Sequence, residues 1–213
     1  MKLALLLFGM AKMEYIHWGS GETYYIDYKN SYDNYQKYIF NYFNNLGYDI
    51  DVYLCSNNLN EQDRMELINT YKPIAHSFIE NVNDKIYSRN LKFNGVIDLC
   101  LNNSNIYDLV LITRFDLIFQ KNFELSNIQL DKFNLVSILE QPSYICDNFY
   151  LFPYKYLTHL SNICKRHMNG SFHYIKYEFD NINGREYINY ILSEHVRVAE
   201  LSFYKIVRKR NRM

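Results

Sequence analysis

Leu109-Val110-Leu111-Ile112-Thr113-Arg114-Phe115-Asp116-Leu117-Ile118-Phe119 is the stretch on which the fold turns. Its first four residues are apolar without interruption, and the run is too short for a buried helix. A continuous apolar run of that length reads as a strand covered on both faces, as in a parallel sheet. Thr113-Arg114-Phe115-Asp116 then breaks the run before Leu117-Ile118-Phe119 resumes it. Burying either charge alone is costly. In an extended segment residues two apart share a face, so Arg114 and Asp116 can face one ligand or face each other.

Upstream, Leu3 to Phe8 is a second apolar run, ending at Gly9. It is shorter than the apolar part of a secretory signal, and no small-residue cleavage site follows, so it reads as a buried first strand. Residues 10–29 contain Gly19, Ser20 and Gly21 without clear periodicity and read as a long loop. From Ser31 to Leu46 the apolar positions recur every three or four residues, which predicts an amphipathic helix closed by Gly47. Ile50 to Cys55 reads as a strand, Asn60 to Tyr71 as a helix stopped by Pro73, and Ala75 to Ile79 as a strand. Asp84 to Leu101 reads as a helix and Leu135 to Leu139 as a strand.

Further on, Asn148 to Phe152 reads as a strand and Tyr154 to Met168 as a helix. Residues 170–183 look irregular. Arg185 to Leu192 reads as a helix and Val198 to Val207 as the last strand. Alternating strands and helices predict an α/β fold, a mostly parallel sheet flanked by helices. One domain over residues 1–207 is expected, followed by a basic, mobile tail, 208–213.

Composition narrows the functional classes. A 213-residue chain that is 48% hydrophobic can bury a sizeable core. Lys+Arg and Asp+Glu both number 23, so the chain carries no net charge and nothing electrostatic points to a nucleic-acid partner. The abundant Tyr and Asn read as the codon bias of an AT-rich genome. Cys55, Cys100, Cys146 and Cys164 form neither a CxxC pair nor a zinc-like spacing, which suits a reduced, cytoplasmic protein. No stretch approaches the length of a membrane span. There is no P-loop, no GxGxxG and no GxSxG.

In an open α/β sheet, ligands bind beyond the carboxyl ends of the strands. Three places there carry candidate chemistry. After the first strand come Phe8, Gly9, Met10 and Lys12; the glycine admits a close ligand, and Lys12 is able to meet a phosphate or simply be solvated. After the second come Thr113, Arg114 and Asp116. Arg114 suits a diphosphate, and Asp116 suits a divalent cation or a sugar hydroxyl; the alternative is a structural ion pair. The third is Asp147 ahead of the strand at Asn148, with Glu140 and Gln141 before it: a general base, a sugar ligand or a turn residue. His195 is a lone late candidate for a metal, with Glu186 and Glu194 nearby.

The stretch from Tyr107 to Phe119 resembles a loosely defined group of viral and bacterial GT-A type glycosyltransferases. In these an Arg-x-Asp element ends a buried strand where others carry a metal-binding DxD. Asp147 to Tyr156 resembles their acceptor-side segment, and Leu3 to Met10 their nucleotide-binding start. The resemblance implies a Rossmann-like GT-A fold and a nucleoside-diphosphate sugar donor, UDP-sugar first. It also implies Mn²⁺ or Mg²⁺ and a glycan or protein acceptor, with hexosyl or N-acetylhexosaminyl transfer. A viral chain of this kind would act in the host cytoplasm. Arg114 departs from DxD, since a guanidinium binds no metal but can neutralise a diphosphate itself. The same departure leaves open a non-catalytic nucleotide-sugar-binding or interaction domain. Oligomeric state is left open by the pattern.

Overall fold

The computed structural model describes residues 1–16, 21, 23–120, 122–137, 145–170, 175, 178–179, 185–192, 204–206 and 209–210. Its centre is strand β1, Lys2–Gly9, in which Leu3 to Phe8 are fully buried. A strand can be apolar on every residue only if both its faces are covered. β1 pairs in parallel with β4, Asp49–Asn57, on one side and with β6, Leu109–Arg114, on the other. β5, Ala75–Ile79, extends the sheet in parallel beyond β4. Beyond β6 come β9, Ile145–Pro153, then β8, Phe133–Ser137, then β10, Ile188–Leu192. β9 is antiparallel to both its neighbours, whereas β10 runs parallel to β8. The seven-stranded sheet is thus mostly parallel, and the fold is the expected α/β class.

Each face of the sheet has its own core. Leu3, Leu5 and Leu7 pack with Leu54, Leu111, Tyr35, Ile39, Phe43 and Leu67. Tyr35 ends α1, Lys29–Tyr35; Phe43 lies in α2, Asn41–Asn45; Leu67 lies in α3, Glu61–Tyr71. On the opposite face Ala4, Leu6 and Phe8 pack with Ile112, Phe93, Ile97 and Leu160. Phe93 and Ile97 come from α4, Lys85–Leu101, and Leu160 from α5, Leu157–Arg166. Burying one such leucine or phenylalanine contributes about 1.5–3 kcal/mol. α4 comes closest to the sheet at Gly95, where a Cβ would stand 2.8 Å from Cys55 Sγ. Gly95→Ala would therefore push the helix off β4.

Local signals account for the helix ends. Asn60 accepts the Asp63 amide at the start of α3, and Lys72 closes it in the left-handed region ahead of Pro73. The Asp84 carboxylate accepts the amides of Ile86 and Tyr87 at the start of α4. All four cysteines are buried and in no disulfide; burial pushes the thiols of Cys55 and Cys100 up to about 12. Among the described residues no helix is long and apolar enough to cross a membrane.

Several expectations need correction. Residues 10–29 hold a hairpin, β2 (Lys12–Ile16) against β3 (Thr23–Asp27). Its strands carry Lys12 and Glu14 among apolar residues, so no continuous run announces them. Lys209 and Arg210 of the expected mobile tail form β12 against Tyr25 and Tyr24. Arg185–Tyr187 is a single 3₁₀ turn, and the helix expected through Leu192 is strand β10. Ile188, Ile191 and Leu192 mimic helical spacing; pairing with β8 decides otherwise. Of the strand expected at Val198 to Val207 the described part is β11, Tyr204–Ile206, which pairs with β7, Leu117–Phe119, a separate strand after β6. The helix expected at 154–168 is a 3₁₀ turn, Tyr154–Tyr156, followed by α5.

Candidate functional site

The chain leaves β1, builds β4 and β5 on one side, then crosses back through α4 to place β6 on the other side. The strand order therefore reverses between β1 and β6, and their carboxyl ends flank the crevice where open α/β sheets take ligands. Gly9 and Arg114 end these two strands, with Phe8 paired to Arg114. Gly9 has φ +108°, a conformation that side chains resist, and a Cβ there would lie 3.9 Å from Arg114 Cγ. The crevice floor is backbone where it meets the arginine.

Arg114 and Asp116 face each other. Arg114 Nε donates to Asp116 Oδ1 at 2.7 Å and Nη2 donates to Oδ2 at 2.5 Å, a bidentate pair. Arg114 Nη1 donates to Asn148 Oδ1 at 3.1 Å, across from β9. The side chains are 15% and 3% exposed, so the pair is largely desolvated. A planar guanidinium held in this way presents a fixed donor plane, suited to phosphate oxygens. Asp116 has both oxygens engaged by the guanidinium. Among the described residues no group of three or more His, Cys, Asp or Glu is assembled for a metal.

The other expected residues are placed as follows. The Phe8 side chain is core, edge-on to Phe93 with centroids 4.9 Å apart, so only its backbone borders the crevice. Met10 is half-buried in the turn before the hairpin. Lys12 lies on β2, and its ammonium meets Asp63 of α3 at 2.6 Å. That hydrogen bond raises the lysine pKa against a smaller opposing effect of burial. Thr113 is fully buried on the sheet face opposite Ile112. Asp147 lies inside β9 rather than ahead of it, and its side chain is outside the described residues. Glu140, Gln141, Glu194 and His195 lie outside the described residues altogether. Glu186 is exposed on the 3₁₀ turn.

Other buried polar residues carry no sequence signal. The Ala11 amide donates to Ser56 Oγ and Asn57 Oδ1, each at 3.2 Å, and Asn57 Nδ2 donates to the Lys12 carbonyl at 3.2 Å. The end of β4 thereby fixes the turn leaving β1. Lys92 of α4 is 2% exposed, and its ammonium donates to Asn81 Oδ1, Ser88 Oγ and the Ser88 carbonyl at 2.8, 2.8 and 3.1 Å. Burial lowers its pKa. Asn148, Ser56 and Asn57 meet partners more than thirty residues away, a separation that no local spacing encodes.

No family model and no curated protein matches the chain. Among solved structures, a crystal structure of a glycosyltransferase involved in the glycosylation of the major capsid of PBCV-1 is similar over 96% of this chain and 92% of its own. The two share 10% sequence identity at a TM-score of 0.47.

Proposed function

We propose that this chain is a GT-A type glycosyltransferase that takes a nucleoside-diphosphate sugar, with UDP-sugar the first candidate, and transfers a hexosyl or N-acetylhexosaminyl group to an acceptor hydroxyl. One observation carries the reading: a buried, bidentate Arg114–Asp116 pair, held by Asn148, at the point where the strand order reverses. The resemblance of the Tyr107 to Phe119 stretch to an Arg-x-Asp element supports it. During transfer the bond from the anomeric carbon to the diphosphate oxygen breaks, and a bond to the acceptor oxygen forms. Negative charge grows on the leaving diphosphate, and a preorganised cation beside it lowers the barrier. Arg114 supplies that charge. Gly9 leaves room for the diphosphate along the backbone, and Asp116 holds the guanidinium plane.

Asp147 is the proposed base, taking the acceptor hydroxyl proton if the sugar inverts; if configuration is retained, it binds sugar. The acceptor is a glycan or protein, and the reaction belongs in the cytoplasm, where four reduced cysteines are at home. His195 and a Mn²⁺- or Mg²⁺-dependent donor complex remain part of the test. A second reading has its own support. Arg114 and Asp116 satisfy one another, which suits a domain that binds nucleotide-sugar without turning it over.

A thermal-shift panel of UDP, GDP, CMP and their sugars, each with and without Mn²⁺, tests the proposal. At about 100 times its dissociation constant a ligand adds about 2.7 kcal/mol. Stabilisation by one nucleotide without Mn²⁺ is expected from an Arg114 site; stabilisation only with Mn²⁺ would assign the charge to a cation instead. No shift with any nucleotide overturns the reading. Donor hydrolysis or transfer by the same protein separates the enzyme from the binding domain.

A further inference from the structure

The turn that carries Arg114 and Asp116 is held from outside its own strands. Tyr35, fully buried at the end of α1, donates its phenol to the Arg114 carbonyl. Ser31, one turn earlier, donates to the Phe115 carbonyl. Asn34 brackets the end of β7: its Nδ2 donates to the Phe119 carbonyl at 2.9 Å, and its Oδ1 accepts the Phe119 amide at 2.7 Å. Ser31, Asn34 and Tyr35 are spaced three and four apart and so share one helix face. Three side chains of one short helix thus hold the Arg114 and Phe115 carbonyls at the candidate turn and the end of β7 beyond it.

The helix is shaped to do this. Directly after Tyr35, residues Gln36–Phe40 form a π-helical turn, and the Asn41 amide reaches back five residues to the Gln36 carbonyl. An unbroken α-helix would carry Phe43 about 120° round from Ser31. The wider turn under-rotates the chain, so Ser31, Tyr35, Ile39 and Phe43 all stay buried towards the sheet. The helix can therefore anchor in the core through Ile39 and Phe43 while its first turns meet the Arg114 loop. Burial first, and then the charge of Asp116, raise the Tyr35 pKa, so its phenol stays protonated and remains a donor.

We infer that Tyr35 is a positioning residue for the donor diphosphate: by holding the Arg114 carbonyl it fixes the turn from which Arg114, oriented by Asp116, meets the ligand. The inference rests on the nucleotide-binding reading above. Tyr35→Phe keeps the ring contact with Phe119, centroids 5.5 Å apart, and removes the hydroxyl that holds the Arg114 carbonyl. Tyr53→Phe is the control; it removes another buried phenol, bonded to Tyr107 on a different part of the sheet.

The test measures UDP affinity by calorimetry and amide hydrogen exchange across residues 115–117 in both variants. Tyr35→Phe is expected to bind UDP about tenfold more weakly and to exchange faster across the turn, with Tyr53→Phe unchanged in both. Equal UDP affinity in Tyr35→Phe and the wild-type chain overturns the inference. So does an equal loss in both variants, which would mean a general effect of stability. If the wild-type chain binds no UDP or GDP, the functional reading fails by itself. Exchange then decides whether Tyr35 holds the turn, unchanged exchange counting against it. Should Tyr35→Phe not fold, Ser31→Ala, which frees the Phe115 carbonyl and leaves Tyr35 in place, gives the same two readouts with a smaller loss expected.

Discussion

Buried polar groups occur both where the sheet begins and where it ends, and the two sets are built in opposite ways. Before β6, Tyr53 and Tyr107 share a hydrogen bond of 2.6 Å, and Tyr107 donates to Asp51 at 3.0 Å. There the phenols fill the interior, and the carboxylate lies towards solvent near Lys2, 23% exposed. At the far end of β6 the charges themselves are inside, Arg114 and Asp116 at 15% and 3% exposure. Burying neutral phenols while the carboxylate stays near solvent keeps desolvation small. A buried ion pair recovers its desolvation only with good geometry, and an apolar pair of equal volume often serves the fold as well or better. The first arrangement is what packing alone would select; the second makes sense where a ligand's charge is to be met.

Breaking the ion pair should have the largest effect. Asp116→Ala leaves a guanidinium buried without its carboxylate and is expected to cost about 3–5 kcal/mol in urea unfolding. The double variant Arg114→Met, Asp116→Leu sharpens the comparison. It should be no less stable than the wild-type chain while losing all stabilisation by nucleotide. A double variant as unstable as Asp116→Ala would mean that the pair serves the fold, and the contrast between the two ends would collapse. Tyr53→Phe at the other end is expected to cost about 1 kcal/mol and to leave nucleotide stabilisation intact.

The smallest effect belongs to Lys12. Its pair with Asp63 is partly exposed, so Lys12→Met should change stability by less than about 1 kcal/mol. Asp63 raises the lysine pKa in the folded chain above its ordinary 10.5, so the contribution is full below that value and fades only as pH rises through the folded pKa. The difference between variant and wild type should therefore stay flat from about pH 6 to about pH 9. A slope in that window would show that another group titrates with the pair.

The parts of the fold legible in the sequence are those whose environment is uniform. Leu3 to Phe8 and Leu109 to Ile112 are covered on both faces, so every residue is apolar and the strand declares itself. β2 and β3 are not read, because their stability comes from pairing with each other and with Lys209 and Arg210. β10 is misread because Ile188, Ile191 and Leu192 sit at helical spacing, and its partner Phe133 lies far upstream. The candidate site divides along the same line. Arg114 and Asp116 stand out as charges interrupting an apolar run, but Asp116 lies in the turn after β6, so that turn, and not the period of a strand, brings the two together. Asn148 and Tyr35 reach Arg114 across 34 and 79 residues, and nothing in their local sequence marks them.

The four buried thiols give the molecule a memory of its own unfolding. Alkylation and oxidation proceed through the thiolate. In Cys55 and Cys100 burial suppresses that form as well as shielding the sulfur. Cys55 lies on β4 beneath Gly95 of α4, and Cys164 lies in α5 on the same face of the sheet. A thiol reagent reaches these sulfurs only when a helix lifts from the sheet. Each modified cysteine therefore records that the helical layer over that face has opened at least once, and a mass spectrum reads which sulfurs were reached.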